Sequence, residues 1–417
     1  MSQSILPFQV DYARHPGFAP HLTWDSRHDA AADEAIDLLN RLLLECESAL
    51  TLKKTTLPAA LEQVNEGVRL LMQLLVGASN ATGAPFARFV DRFYLEIIRI
   101  VIDDLAYFER RGSYAPVINN AAEMALRNEL AVTGYVRFDL QPDELAAIRR
   151  QVQPYIEALT ERHRRGARAR EELSTNEVDG ASTALMGEIF GRHGFNKAVS
   201  DVRHETARAG GFAVEVSPDD SDWWRSRYED VGVTAPSPAA YFHNDESRDA
   251  YKAIIYLDDV GADRGPFSYV PASYPMPRPR FEWAVARATL TTLASDEIRQ
   301  TMTDIRPSRG VFTSCVARQF FGMLPARLRL NSHLGFDVLE GSPQASAIAA
   351  GEVTMLAPAG HVIVFDGGRL LHRGGMVRRG MRAALQVVFD VQKKNGADFY
   401  NHLAGAIRPQ GATSNVR

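Results

Sequence analysis

Tyr241-Phe242-His243-Asn244-Asp245, answered far downstream by Leu371-His372-Arg373-Gly374-Gly375, is the stretch on which the reading of this chain turns. His243 and Asp245 stand two residues apart, so on a strand their side chains leave from the same face. One short segment then offers two adjacent ligands to a metal. His372, in a second strand-like segment, offers a third. Two imidazoles and one carboxylate on one face of an octahedron leave three positions open, the arrangement of non-haem Fe(II) sites. His243, Asp245 and His372 are therefore the candidate metal ligands and the candidate catalytic residues.

By itself, a His two residues from an Asp is better explained as a surface carboxylate bonded to a nearby imidazole. The flanking sequence changes that. Ala253-Ile254-Ile255-Tyr256-Leu257-Asp258-Asp259-Val260 reads as an apolar strand ending in an acidic turn. Gly360 to Gly368 and Arg382 to Phe389 read as further strands on either side of His372, and Gly210 to Val216 as a strand leading to His243. Arg382 follows His372 by ten residues and opens a strand. A 2-oxo acid that chelates iron through its keto acid end needs a fixed, always charged partner for its far carboxylate, and Arg supplies a bidentate one.

With these pieces in place, the chain resembles the phytanoyl-CoA dioxygenase-like Fe(II)/2-oxoglutarate oxygenases over roughly 119–391. Ala131-Val132-Thr133-Gly134-Tyr135-Val136-Arg137-Phe138 is similar to the family's opening helix, Gly-Tyr and strand, and Gln141-Pro142-Asp143-Glu144-Leu145 to its next helix start. Tyr256 to Tyr274, with Gly265-Pro266, is similar to its "LDD…GP" stretch, and Leu371 to Leu385 to its distal His and cosubstrate Arg. The resemblance implies an α+β fold, with a double-stranded β-helix (jelly-roll, cupin-like) core, flanking helices and a helical N-terminal region. It implies Fe(2+), 2-oxoglutarate and O2 as cofactors and cosubstrates, and hydroxylation of a small molecule with release of succinate and CO2. Intact Asp245 favours hydroxylation over halogenation.

Three departures stand out. Ala272-Ser273-Tyr274 replaces a Gly-Ser-His. Gly374 stands where many members carry a Ser that helps hold the cosubstrate, and Lys252 or Ser268 could replace it. The span from Asp245 to His372 is long, which marks 276–350 as an insertion, expected to cover the site and set substrate choice, the alternative being an insertion packed on the far side against the N-terminal helices. Two other readings remain open at this point: a cupin-type metalloenzyme that does not use 2-oxoglutarate, and a non-catalytic jelly-roll binding protein.

The rest of the 417 residues fits a globular enzyme. Hydrophobic residues make up 45% and charged residues 24%, and the net charge of −4 gives no general attraction to nucleic acid. The basic run from Arg162 to Arg170 reads as a solvated helix end and loop, and Thr160 to Ser182 as a polar loop. Cys46 and Cys315 do not make a disulfide framework, and the opening residues lack a signal-peptide pattern. A cytoplasmic location is the expectation, with no membrane span. Ile36, Leu39, Leu43, Cys46 and Leu50 recur at helical spacing, as do Val64, Val68, Leu71 and Leu75, and the stripe from Phe86 to Phe108. These predict a helical unit over 1–115, a possible surface for homo-oligomers, followed by the oxygenase domain over 116–400 and a tail over 401–417. His333 and His361 are spare histidines with structural roles.

Overall fold

Apolar residues three and four apart make the first three helices bury one stripe each. The computed structural model describes residues 24–78, 84–167, 173–219, 251–273, 281, 284–285, 288, 324–325, 328, 350–375 and 377–391. Helix α1 (Asp29–Thr51) buries Ile36, Leu39, Leu43, Cys46 and Leu50. Helix α2 (Leu57–Ala78) buries Leu61, Val64, Val68, Leu71 and Leu75. Helix α3 (Ala84–Arg111) adds Phe93, Ile97, Ile100 and Leu105 to the same core. None of the described helices is long and apolar enough to cross a membrane.

Six residues of the expected insertion also belong to this helical core: Phe281, Ala284, Val285, Ala288, Leu324 and Leu328. The Phe281 amide donates to Asn40 Oδ1 at 2.9 Å. These six residues pack on the N-terminal helices, the alternative placement the sequence left open, and most of 276–350 lies outside the described residues. The physical reason is that their apolar side chains complete the core of a three-helix layer.

A short connector leads out of α3. It is fixed by Asp201, which is buried and accepts from the Tyr114 hydroxyl (2.6 Å) and from the amides of Val117 (2.8 Å) and Ile118 (3.2 Å). Helix α4 (Ala121–Thr133) then begins at Asn120, whose side chain caps the Glu123 amide. It stops at Gly134, where φ is +77°, a conformation that costs Gly no Cβ clash. Strand β1 (Tyr135–Asp139) follows directly. Helix α5 (Pro142–Arg164) opens with a capping box between Gln141 and Glu144.

The expected loop over Thr160 to Ser182 is shorter than its polarity suggested. Helix α5 continues to Arg164, β2 (Ser174–Thr175) pairs with the sheet, and α6 (Gly180–Arg192) begins at Gly180. Asp179 caps α6 through the Ser182 amide at 2.7 Å, so the polar residues here are helix-end chemistry. Helix α7 (Phe195–Arg203) and strands β3 (Ala207–Pro218), β4 (Tyr251–Tyr256), β5 (Ser268–Val270), β6 (Val353–Thr354), β7 (His361–Asp366), β8 (Leu371–Arg373) and β9 (Met381–Val391) complete the described elements.

Among the described residues every strand pair is antiparallel. Six strands form one sheet in the order β1-β7-β4-β9-β3-β2, and three form a second in the order β6-β5-β8. Alternate residues of the large sheet face opposite ways. Val214, Ala253, Ile255, Val362, Val364, Leu385 and Val387 pack under α5, α6 and α7. Tyr256, Ile363 and Phe365 face the small sheet and share a core with Tyr269, Phe267, Met355 and Leu370. From β4 onward the chain passes repeatedly between the two sheets, so sequence neighbours such as β7 and β8 lie in different layers.

Candidate metal centre

The space between the sheets is where the sequence-selected residues can meet. On the small sheet, Tyr269 lies opposite His372. Strand alternation turns both toward the core between the sheets, and turns Ser268 and Arg373 away from it. His372 is 5% exposed. Its Nδ1 lies 2.9 Å from the Leu370 carbonyl oxygen, so Nδ1–H donates there and the lone pair falls on Nε2. That is the tautomer of a metal-binding imidazole whose other nitrogen is held by backbone. The rings of Phe365 (centroids 4.8 Å apart) and Phe267 (5.8 Å) hold the imidazole plane.

On the facing sheet, the inward row of β9 carries Arg382, 8% exposed. Arg382 pairs in register with Ser217 of β3. Its guanidinium donates through Nη1 to the Gly265 carbonyl and through Nη2 to Ser217 Oγ at 3.2 Å. Glu215 Oε1 lies 3.7 Å from Nη2, and Ser217 Oγ donates to the same oxygen at 3.1 Å. The buried Nε–H has no hydrogen-bond partner among the described residues. A buried, charged donor without an acceptor is costly, and its place in a native fold calls for an incoming acceptor.

One segment links the two sides. Gly265 receives Arg382, and two residues on, the Phe267 ring packs on His372. Tyr256 fixes this segment from below: its hydroxyl accepts from the Phe267 amide at 2.8 Å and donates to the Met355 carbonyl at 3.1 Å. Burial pushes the Tyr256 phenol up to about 12, against a smaller opposite pull from the Arg382 charge, so it stays a neutral donor. Gly375 backs the same turn, since a Cβ there would fall 2.3 Å from the Pro266 carbonyl oxygen. The Tyr135 ring packs tilted against Tyr269, centroids 4.6 Å apart, beside the site, and burial raises the Tyr269 phenol above its ordinary range.

The predicted residues are distributed as follows. His372 and Arg382 line the facing inner walls. Lys252 is half-buried on the inward row of β4, in register with Phe365 and Val388. Ser268 lies on the opposite side of its sheet from His372, bonded to Thr354 Oγ1 at 3.2 Å, which takes it off the wall that His372 lines. The physical reason is the two-residue period of β5. His243 and Asp245 lie outside the described residues. Among the described residues no group of three His, Cys, Asp or Glu side chains could hold a metal. His361 pairs through Nδ1 with exposed Asp139 at 2.7 Å at the sheet end. Arg373, behind His372, forms a buried ion pair with Glu352 at 2.7 Å. The sequence reading missed Ser217 and Glu215. Their only signal was the end of β3, where Glu215 and Ser217 alternate with Val214 and Val216.

No family model matches the sequence, and no curated protein matches it. Solved structures similar to it include the non-heme alpha ketoglutarate dependent carbocyclase SnoK from nogalamycin biosynthesis. That chain is 14% identical, with 69% of this chain and 92% of SnoK covered and a TM-score of 0.35. EctD from S. alaskensis with bound Fe is 13% identical over 67% of this chain and 80% of its own, with a TM-score of 0.35. HygX from Streptomyces hygroscopicus, with nickel and 2-oxoglutarate bound, is 13% identical over 66% of this chain and 88% of its own, with a TM-score of 0.34.

Proposed function

We propose that this chain is a non-haem Fe(II)- and 2-oxoglutarate-dependent oxygenase of the phytanoyl-CoA dioxygenase-like kind, built on a double-stranded β-helix and hydroxylating a small molecule. One observation carries the reading. A buried His with its Nδ1 tied to backbone faces the same intersheet core as a buried Arg with an unsatisfied Nε–H, and one turn, Gly265 to Phe267, touches both. The alternation of strands between two antiparallel sheets supports the jelly-roll assignment.

In this reading His372 would hold Fe(II) together with His243 and Asp245, and Arg382, braced through Nη2 by Ser217, would hold the far carboxylate of 2-oxoglutarate. The bound metal supplies O2 activation, with 2-oxoglutarate converted to succinate and CO2. The chain's own residues do the rest. Phe267 and Phe365 keep the imidazole oriented, Arg382 sets the depth to which the oxo acid enters, and the aromatic wall keeps water away.

The test is addition of 2-oxoglutarate to Fe(II)-loaded protein without oxygen, followed by succinate release on admission of O2 across a substrate panel. An Fe(II)-dependent uptake of 2-oxoglutarate that His372→Ala abolishes supports the proposal. Uptake unchanged in His372→Ala, or absent from the unaltered protein, overturns it.

A further inference from the structure

We infer that Glu215 is a resident counter-ion of Arg382 that competes with the far carboxylate of the 2-oxo acid and sets how tightly that acid is held. This rests on the oxygenase reading and deepens it. Glu215 and Ser217 are two residues apart on β3 and share its inward face, and Ser217 stands opposite Arg382. Glu215 Oε1 lies 3.7 Å from Arg382 Nη2, with side chains only 18% and 10% exposed. Solvent screening between groups so covered is weak. The unpartnered Nε–H and Nη2 lie along one edge of the guanidinium, so a carboxylate that satisfies Nε side-on also meets Nη2, the nitrogen 3.7 Å from Glu215. Two carboxylates then share one guanidinium, and like charges at that spacing repel.

The arrangement has a physical purpose. A buried guanidinium with no anion nearby is destabilising, and Glu215 supplies one while the site is empty. The same charge weakens the hold on any dicarboxylate, including succinate, which keeps the far carboxylate of the acid it came from. Glu215 is therefore a positioning residue acting through Arg382. A purely structural brace predicts the opposite sign, because loosening Arg382 would weaken the anion's hold.

The experiment titrates 2-oxoglutarate, and separately the monocarboxylate 2-oxobutyrate, into the Fe(II)-loaded protein under argon by calorimetry. Glu215→Gln is expected to tighten 2-oxoglutarate by about 3- to 30-fold, as removal of one like charge at this range implies, and to leave 2-oxobutyrate unchanged. Glu215→Asp, which withdraws the charge by one carbon, is expected to fall between and serves if the Gln variant does not fold. Unchanged or weaker 2-oxoglutarate binding in both variants, with normal binding by the unaltered protein, overturns this inference and leaves the oxygenase reading standing. No 2-oxoglutarate binding by any of the three proteins overturns the oxygenase reading itself.

Discussion

The carbonyl oxygen of Gly265 accepts a hydrogen bond from the buried guanidinium of Arg382, two residues before the ring that packs on His372. Arg382 therefore reads the position of the same turn that holds the imidazole. A contact of this kind couples the two ends of the proposed oxo acid site through backbone, the stiffest connection available.

Arg382→Ala is expected to raise the half-saturating 2-oxoglutarate concentration by about 100-fold, the effect of losing about 3 kcal/mol of charge-assisted hydrogen bonding. Fe(II) affinity should stay unchanged. Arg379 is exposed, with its amide on the Asp263 carbonyl, so Arg379→Ala should change neither. Titration of both variants checks this, and a larger effect from Arg379→Ala would refute the assignment.

His372→Ala should lose stoichiometric Fe(II) binding, whereas His361→Ala should keep it. His361 spends its Nδ1 on the exposed Asp139, away from the Phe365 and Phe267 rings that frame His372. Metal content after dialysis against limiting Fe(II) distinguishes the two.

Gly375→Ala should destabilise the fold by about 2 kcal/mol, because overpacking against backbone cannot be relieved by a side-chain rotation. The added Cβ would sit 2.3 Å from the Pro266 oxygen and 2.6 Å from the Gly265 carbonyl carbon. Since that turn carries both Phe267 and the Arg382 contact, 2-oxoglutarate affinity should fall with stability. A denaturant curve matching that of the unaltered protein would show that the turn yields easily.

Asp201→Ala strips three donors of their acceptor at the connector between the helices and the sheets. Two of them are backbone amides of a partly exposed segment that can fall back on water, so a loss of about 1–3 kcal/mol is expected. Oxo acid binding should persist at low temperature, because Asp201 is remote from Arg382 in the sheet. Thermal melts with and without ligand test both parts.

Tyr256 ties stability to alkaline pH. Its phenol is raised from an ordinary 10.0 to about 12, so the fold favours the neutral form. That contribution is complete below pH 10 and is lost as pH rises through 12. Tyr256→Phe removes the hydroxyl bonds to Met355 and Phe267 and should melt lower at neutral pH. The gap from the unaltered protein should narrow between pH 10 and 12. A constant gap across that range would place the raised value elsewhere.

Local rules settled much of this protein from sequence alone. The three N-terminal stripes are set by a 3.6-residue period, and the Gly134 stop and the Gln141–Glu144 start by cap chemistry that acts within four residues. The strands at 251–256, 361–366 and 381–391 announced themselves as apolar runs, and Arg382 drew notice by its place at a strand opening. Tertiary structure alone decided what meets across the sheets. Ser268 faces away because register with His372's strand fixes Tyr269, not Ser268, toward the core. Glu215 and Ser217 join Arg382 from 165 residues upstream in the case of Ser217, a pairing that no local pattern encodes. Phe281, Ala284, Val285, Ala288, Leu324 and Leu328 joined the helices because their apolar side chains find burial there. Burial and cross-strand register are properties of the whole chain, and a sequence window cannot carry them.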